Sequence, residues 1–131
     1  MTGQARLRDL AKRMRLKATY GARLGYSEQD DWQRAAHGYR CSLTYQRRRY
    51  SFDYWMGRAL TREPTALDCL DSLLSDAQAG ESSFDDFCAN FGYDADSRKA
   101  ERLHKRCGRI AKAMRRLLGD DFETFLHADR D

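Results

Sequence analysis

One long segment near the end of the chain fixes most of what this sequence can fold into. Between Ser97 and Gly119, apolar residues recur at intervals of four, three, four and three, and nine Lys or Arg fill most other positions. The apolar residues are Leu103, Cys107, Ile110, Met114 and Leu117. This period is typical of an α-helix with one narrow apolar face. We therefore expect a helix about 33 Å long that buries one stripe and exposes a strongly basic remainder.

The length and composition indicate a globular chain. Its 131 residues suffice for one core, and we predict a single domain over 1–131. Seven Tyr, six Phe and two Trp argue against disorder. No apolar run approaches the roughly eighteen residues of a membrane-spanning helix, so no membrane partner is predicted. The N-terminus also lacks the apolar stretch of a secretory signal, and we expect a cytoplasmic protein.

The cysteines and histidines do not indicate a metal or a catalytic site. None of the four cysteines lies within ten residues of another, so the spacing of zinc sites is absent. Each cysteine falls on an apolar position of its segment, which predicts small buried residues in a reducing compartment. The sequence also has no glycine-rich phosphate loop and no serine elbow. We predict no enzyme activity and no cofactor.

Charge is segregated along the chain, although the net charge is only +4. Residues 1–49 hold 12 basic and 4 acidic side chains (net +8), and 50–96 hold 2 and 10 (net −8). Residues 97–118 hold 9 and 1 (net +8), and 119–131 hold 1 and 5 (net −4). Such blocks either neutralise each other inside the fold or leave one strongly basic face. The sequence leaves both alternatives open.

The first part of the chain, 1–36, reads as two helices. Residues 5–18 have helical spacing of apolar residues among many cations, which predicts a basic N-terminal helix. Gly21 and Gly25 then loosen the chain. Ser27 can cap a short second helix that runs through Ala36.

Residues 39–56 change to a period of two, which predicts a β-hairpin with one apolar face. A four-residue loop, Gln46–Arg49, is expected at its tip because the Asn-Gly signal of a tight turn is absent. Trp55 alternates with Tyr54 and Met56 and would lie on the polar face, where it is either an exposed candidate protein contact or a residue buried under the N-terminal helix. A hairpin alone is marginal in water. It must lie on helices or pair with a third strand, from this chain or from a second copy in a homodimer.

Residues 64–127 read as four helices. Pro64 and Thr65 suit the start of the first helix, and Gly92 and Gly119 suit helix ends. The whole pattern predicts an α+β fold, mostly helical, with one hairpin on a bundle that includes the long basic helix.

Two sets of cations are candidate binding residues. The long helix offers Arg98, Arg102, Lys105, Arg106, Arg109 and Lys112, and clustered cations of this kind suit phosphate binding. The hairpin tip offers Arg47, Arg48 and Arg49 between two tyrosines, an arrangement that suits single-stranded nucleic acid. The alternatives are a solvated helix face, partial pairing with the acidic 50–96 block, and an ordinary exposed tip.

Three short motifs are similar to those of small, mostly uncharacterised accessory proteins of phages, prophages and mobile elements. They are Glu-Pro-Thr-Ala at 63–66, Ser-Phe-Asp-Asp-Phe-Cys at 83–88, and Gly-Tyr-Asp-Ala-Asp-Ser-Arg-Lys-Ala at 92–100. The resemblance covers roughly residues 39–126 and carries no catalytic residue with it. It implies a mobile-element accessory protein in a bacterial host cell, and small proteins of this origin often block host defence nucleases, including CRISPR complexes, or regulate phage genes.

Charge and resemblance together lead to one expected function and one alternative. We expect an anti-CRISPR-like, non-enzymatic protein that inhibits a host defence protein or nucleoprotein complex through its basic surface. The alternative is a DNA- or RNA-binding accessory or regulatory protein.

Overall fold

A computed structural model describes residues 3–27, 36–56 and 65–128. They form an α+β fold, as predicted, with five α-helices and one three-stranded antiparallel sheet. The elements are α1 (Gly3–Arg13), β1 (Lys17–Ser27), β2 (Ala36–Tyr45), β3 (Arg48–Met56), α2 (Ala66–Glu81), α3 (Phe84–Phe91), α4 (Arg98–Leu118), a short 3-10 turn (Gly119–Asp121) and α5 (Phe122–His127). Within these described ranges, no helix is both long enough and apolar enough to cross a membrane.

The chain divides into two compact units, Met1–Asp71 and Ser72–Asp131. The division falls inside α2, so the first turns of this helix belong to the first unit and the remainder to the second. The single domain expected over 1–131 stays a prediction.

The predicted helix over 5–18 is too long, because α1 ends in a reversed turn at Arg15. This residue has a φ of 58°, in the left-handed region that glycine usually occupies after a helix. The amide of Leu16 donates to the carbonyl of Ala11 at 2.9 Å, and the amide of Arg15 donates to that of Lys12 at 3.1 Å. These two bonds form the Schellman arrangement that closes helices. Because arginine occupies the position where glycine is usual, this helix end could not be recognised from the residue types.

Gly21 and Gly25 were predicted to loosen the chain, but they lie within a strand, β1. Its pairing with β2 shifts in register between Tyr20 and Arg23 and again between Arg23 and Gly25. At each shift β1 carries one residue more than β2, which is the form of a β-bulge. Glycine inside a strand often marks such a bulge, and Gly21 and Gly25 lie at these two places.

The predicted short helix from Ser27 to Ala36 is wrong at both of its ends. Ser27 closes β1, Ala36 opens β2, and the two residues are register partners. The middle of the predicted helix, residues 28–35, lies outside the described residues.

The predicted hairpin is confirmed, and its third strand comes from the same chain. The sheet order is β1-β2-β3, and β2 pairs with β3 from His37–Met56 to Tyr45–Arg48. The alternating residues of β2 that were predicted to be apolar and inward are buried: Tyr39, Cys41, Leu43 and Tyr45. On the opposite face, Arg40 and Asp53 are register partners and form an exposed ion pair at 3.1 Å.

The hairpin turn is tighter than predicted. Only Gln46 and Arg47 separate the strands, where a four-residue loop was expected. Both residues have positive φ, 49° and 68°, which is the pattern of the type I′ turn that matches strand twist. Arg48 and Arg49 are therefore strand residues.

In the first unit, the sheet meets α2 through two buried thiols. The Sγ atoms of Cys41 on β2 and Cys69 on α2 lie 3.2 Å apart. Both cysteines are reduced in the structure, as are Cys88 and Cys107, and all four are buried as predicted. Burial raises the pKa of both Cys41 and Cys69, which keeps them protonated and poorly nucleophilic.

The helices that follow begin and end where the sequence predicted. Thr65 caps α2, because its Oγ1 accepts from the amide of Asp68 at 3.1 Å while the Asp68 carboxylate accepts from the amide of Thr65 at 2.9 Å. Ser83 caps α3 and Ser97 caps α4 in the same way through their hydroxyl oxygens. Gly92 ends α3 with a φ of 75°. Pro64 lies outside the described residues.

In the second unit, α2 and α4 approach each other closely at Gly80. A Cβ atom at Gly80 would overlap the backbone carbonyl of Cys107 and would lie 2.6 Å from the amide nitrogen of Gly108. Backbone atoms cannot move aside as a flexible side chain can, so the approach of the two helices requires glycine at position 80. By contrast, a Cβ at Gly108 would meet nothing within 4 Å.

We predict opposite effects for the same substitution at these two glycines. Gly80→Ala should lower the free energy of unfolding by roughly 1–3 kcal/mol, because the added methyl group forces α2 and α4 apart. Gly108→Ala should raise it by up to about 1 kcal/mol, since alanine is the better helix former and the position is open. Urea denaturation followed by circular dichroism measures both. Equal effects of the two substitutions would contradict the crossing at Gly80.

Candidate polyanion-binding surface

Five cations of α4 form one straight row on its surface. Arg98, Arg102, Lys105, Arg109 and Lys112 follow one another at intervals of four, three, four and three, and all five are exposed. At about 100° per residue, these side chains fall within roughly 40° of a single line along the helix. The row spans about 21 Å, at 1.5 Å per residue. We call these five residues the cationic ridge.

The buried face of α4 lies opposite the ridge and determines its direction. The predicted stripe is confirmed: Cys107, Ile110, Met114 and Leu117 are buried, and Leu103 is half-buried. Further buried positions on this face are Ala100, Ala111 and Leu118. Because one side of the helix is in the core of the second unit, the ridge faces away from that core.

The cations at the end of α4 are already engaged within the protein. Nε of Arg115 donates to Oε1 of Glu81 at 2.5 Å, and its Nη2 donates to Glu123 at 3.2 Å. Its guanidinium carbon also lies 4.6 Å from the ring centroid of Phe122. The hydrogen bond with Glu81 is the main reason why the pKa of Arg115 is raised. Arg116 also takes part in an interaction within the protein.

The ridge is different, because its charges are not neutralised within the part of the chain that the structure describes. There, no carboxylate lies within 4.0 Å of any of the five ridge cations. The only acidic residue of α4 is Glu101, which is itself exposed. The ridge therefore presents five positive charges in a row to solvent.

Arg106 was predicted with the ridge residues, and the structure places it on the flank of α4. It is half-buried, and it acts electrostatically on Asp76 of α2. Burial raises the pKa of the Asp76 carboxyl, and the positive charge of Arg106 opposes that rise. Arg106 thus compensates a partly buried carboxylate. Burial is also the main cause that raises the pKa of the neighbouring Cys107 to about 11.

His104 has a structural role in the second unit. Its Nε2 makes a 2.8 Å hydrogen bond with the backbone carbonyl of Ser82. Its ring also lies 5.6 Å from that of Phe84 and 5.2 Å from that of Phe87, centroid to centroid. Among the described residues, no group of three His, Cys, Asp or Glu is arranged to hold a metal ion.

The hairpin tip lies in the first unit and lacks the exposed rings that single-stranded nucleic acid would need. Arg47, Arg48 and Arg49 are exposed, but the side chain of Tyr45 is only 2% exposed. Tyr50 is half-buried and stacks on Phe52, with ring centroids 5.7 Å apart. The guanidinium of Arg49 donates to the hydroxyl of Ser42 at 3.2 Å, and Arg48 is also engaged. The tip is thus a small basic turn without a free aromatic face.

Trp55 lies in β3 and has Gly38 of β2 as its register partner. The prediction that the Trp55 side chain lies on the polar face stays a prediction, because this side chain is outside the described part of the structure.

Sequence spacing could have separated the ridge from the flank, because Arg106 departs by about 80° from the line of the other five cations. Sequence spacing could not have shown that Arg115 forms an ion pair, since its partner Glu81 is 34 residues away along the chain. That pairing depends on how α2 and α4 cross.

The chain matches no protein-family model, no curated protein and no solved structure.

We predict that Asp76 makes the stability of the protein depend on pH. Because its pKa is raised in the folded state above the ordinary 3.8, the folded protein holds this proton more tightly than the unfolded chain. The stability that Asp76 contributes is therefore greatest below that value and is lost as the pH rises through the folded pKa. Asp76→Asn should match the wild type near pH 3 and be more stable than the wild type at pH 7, because asparagine lacks the charge that burial disfavours.

Urea denaturation across this pH range measures the difference. Asp120→Asn is the matched control, because Asp120 is exposed and the change removes the same charge. If Asp76→Asn is destabilising at pH 7, attraction to Arg106 outweighs the cost of burial and the prediction is wrong.

Proposed function

We propose that this protein is a non-enzymatic binding protein that inhibits a host defence nucleoprotein complex, and that the cationic ridge is its binding surface. The observation that carries the proposal is the contrast along α4. Arg115 is held by two carboxylates, whereas the five ridge cations face solvent in a row with no described carboxylate beside them. A row of uncompensated like charges costs helix stability, so its presence is best explained by an anionic partner.

Charge geometry supports a polyanion as that partner. Five charges over about 21 Å give one cation for roughly every 5 Å, which matches an extended anion better than a small one. Electrostatic attraction of this kind also raises association rates. An inhibitor that competes with a nucleic acid for its binding channel would benefit from a charge spacing that suits an extended anion and from faster association.

The choice of a defence complex as the target rests on the resemblance of three motifs to mobile-element accessory proteins. The straightness of the ridge also favours a second candidate, an accessory or regulatory protein that binds DNA or RNA directly. The two candidates differ in what the ridge contacts in the cell: a defence complex in the first, and DNA or RNA alone in the second.

Capture from a bacterial host lysate tests the proposal. The tagged wild type should retain a defence complex, and it should do so after nuclease treatment if the ridge contacts the protein component. Arg102→Glu/Arg109→Glu should reduce the captured amount at least about tenfold, because reversing charges turns attraction into repulsion. Quantitative mass spectrometry of the captured proteins measures the change.

The matched control is Arg8→Glu/Arg13→Glu, which reverses two exposed charges on α1. It should capture as much as the wild type. The proposal fails if the ridge variant retains the same partner in the same amount. Capture of nucleic acid alone, with no defence component, would favour the second candidate.

A further inference from the structure

The exposed surface of α4 is narrow and carries only charges. Its exposed positions are Arg98, Glu101, Arg102, Lys105, Arg109, Lys112, Arg115 and Arg116. They include no aromatic ring and no side-chain amide. Stacking on aromatic rings is the main device by which proteins hold single-stranded nucleic acid, and amides are the usual readers of adenine. The ridge has neither.

Both flanks of α4 are partly covered. Lys99, Arg106 and Ala113 on one side, and His104 on the other, are half-buried. A helix with its side chains is about 10–12 Å across, and the DNA major groove is about 12 Å wide and 8.5 Å deep. The ridge lies on the exposed side of α4, where its cations can contact the phosphates that border the groove from outside the duplex.

From this geometry we propose that the ligand of the cationic ridge is the sugar-phosphate backbone of a nucleic acid duplex, contacted from outside and without reading the base sequence. The inference deepens the proposed function and rests on it, since it names the polyanion that the ridge holds. Phosphate contacts position a protein on a duplex and carry no sequence information directly.

The number of ridge residues sets the expected salt dependence. Each phosphate neutralised on B-DNA contributes about −0.9 to the slope of log affinity against log salt concentration. Five contacts predict a slope of about −4.5, and removing two of them predicts about −2.7.

Fluorescence anisotropy with labelled DNA tests the inference on the full chain. Two short duplexes of unrelated sequence should bind with affinities within about threefold of each other, and a single strand of the same length should bind more weakly. Arg102→Gln/Arg109→Gln should weaken duplex binding by more than about tenfold and reduce the slope as stated. Circular dichroism verifies that the variant is folded.

Arg8→Gln/Arg13→Gln on α1 is the control, because it removes the same total charge from exposed positions elsewhere. It should leave most of the affinity and the slope intact. Equal losses in the two variants would mean general attraction to a basic protein and would overturn the inference. So would tighter binding of the single strand, a strong preference for one duplex sequence, or equal competition by polyglutamate.

The two proposals can fail separately. If duplex DNA does not bind but capture of a defence protein depends on the ridge, only the present inference is wrong. If the ridge variant keeps its defence partner but loses duplex binding, the proposed inhibition is wrong and the nucleic acid ligand stands.

Discussion

Burial of one face of α4 is the constraint on which the arrangement of charge depends. Full burial of a residue such as Met114 or Ile110 contributes about 1.5–3 kcal/mol. A like-charge pair one turn apart costs only about 0.2–0.5 kcal/mol. Several buried side chains on α4 therefore outweigh the repulsion along the ridge. Turning the helix by half a rotation would expose the apolar stripe and bury five cations, so the direction of the ridge is set by the core.

The crossing of α2 and α4 sorts the cations of α4 into two groups. Gly80 lets the helices approach until backbone nearly meets backbone, and this brings Glu81 beside Arg115. Asp76 of α2 is close enough to Arg106 for an electrostatic interaction between the two side chains. Asp76 and Glu81 of α2 thus act on Arg106 and Arg115, whereas no described carboxylate lies within 4.0 Å of the ridge cations.

The sequence predicted the helical part well, because its signals are local. Ser83, Gly92 and Ser97 cap helices through residues three or four positions away, and the apolar period shows which face is buried. The first third of the chain was predicted poorly. Arg15 and Arg47 adopt left-handed backbone conformations usual for glycine, and β1 is recognisable only by its pairing with β2. The ridge residues were predicted as candidate binding residues. The spacing of residues in the sequence could not show that carboxylates lie near Arg115 and not near the ridge, because this depends on how the helices pack.

The row of like charges on α4 has a consequence for folding itself. At moderate ionic strength, mobile counterions largely screen exposed charges that lie more than about 10 Å apart, whereas neighbouring ridge residues lie closer together than that. The repulsion between neighbouring ridge residues is therefore only partly screened in the free protein, and binding of the proposed anionic partner would relieve it. At low ionic strength, the repulsion along the ridge and its attraction for a polyanion are both strongest, so relief of repulsion within the protein would be part of the free energy of the proposed binding.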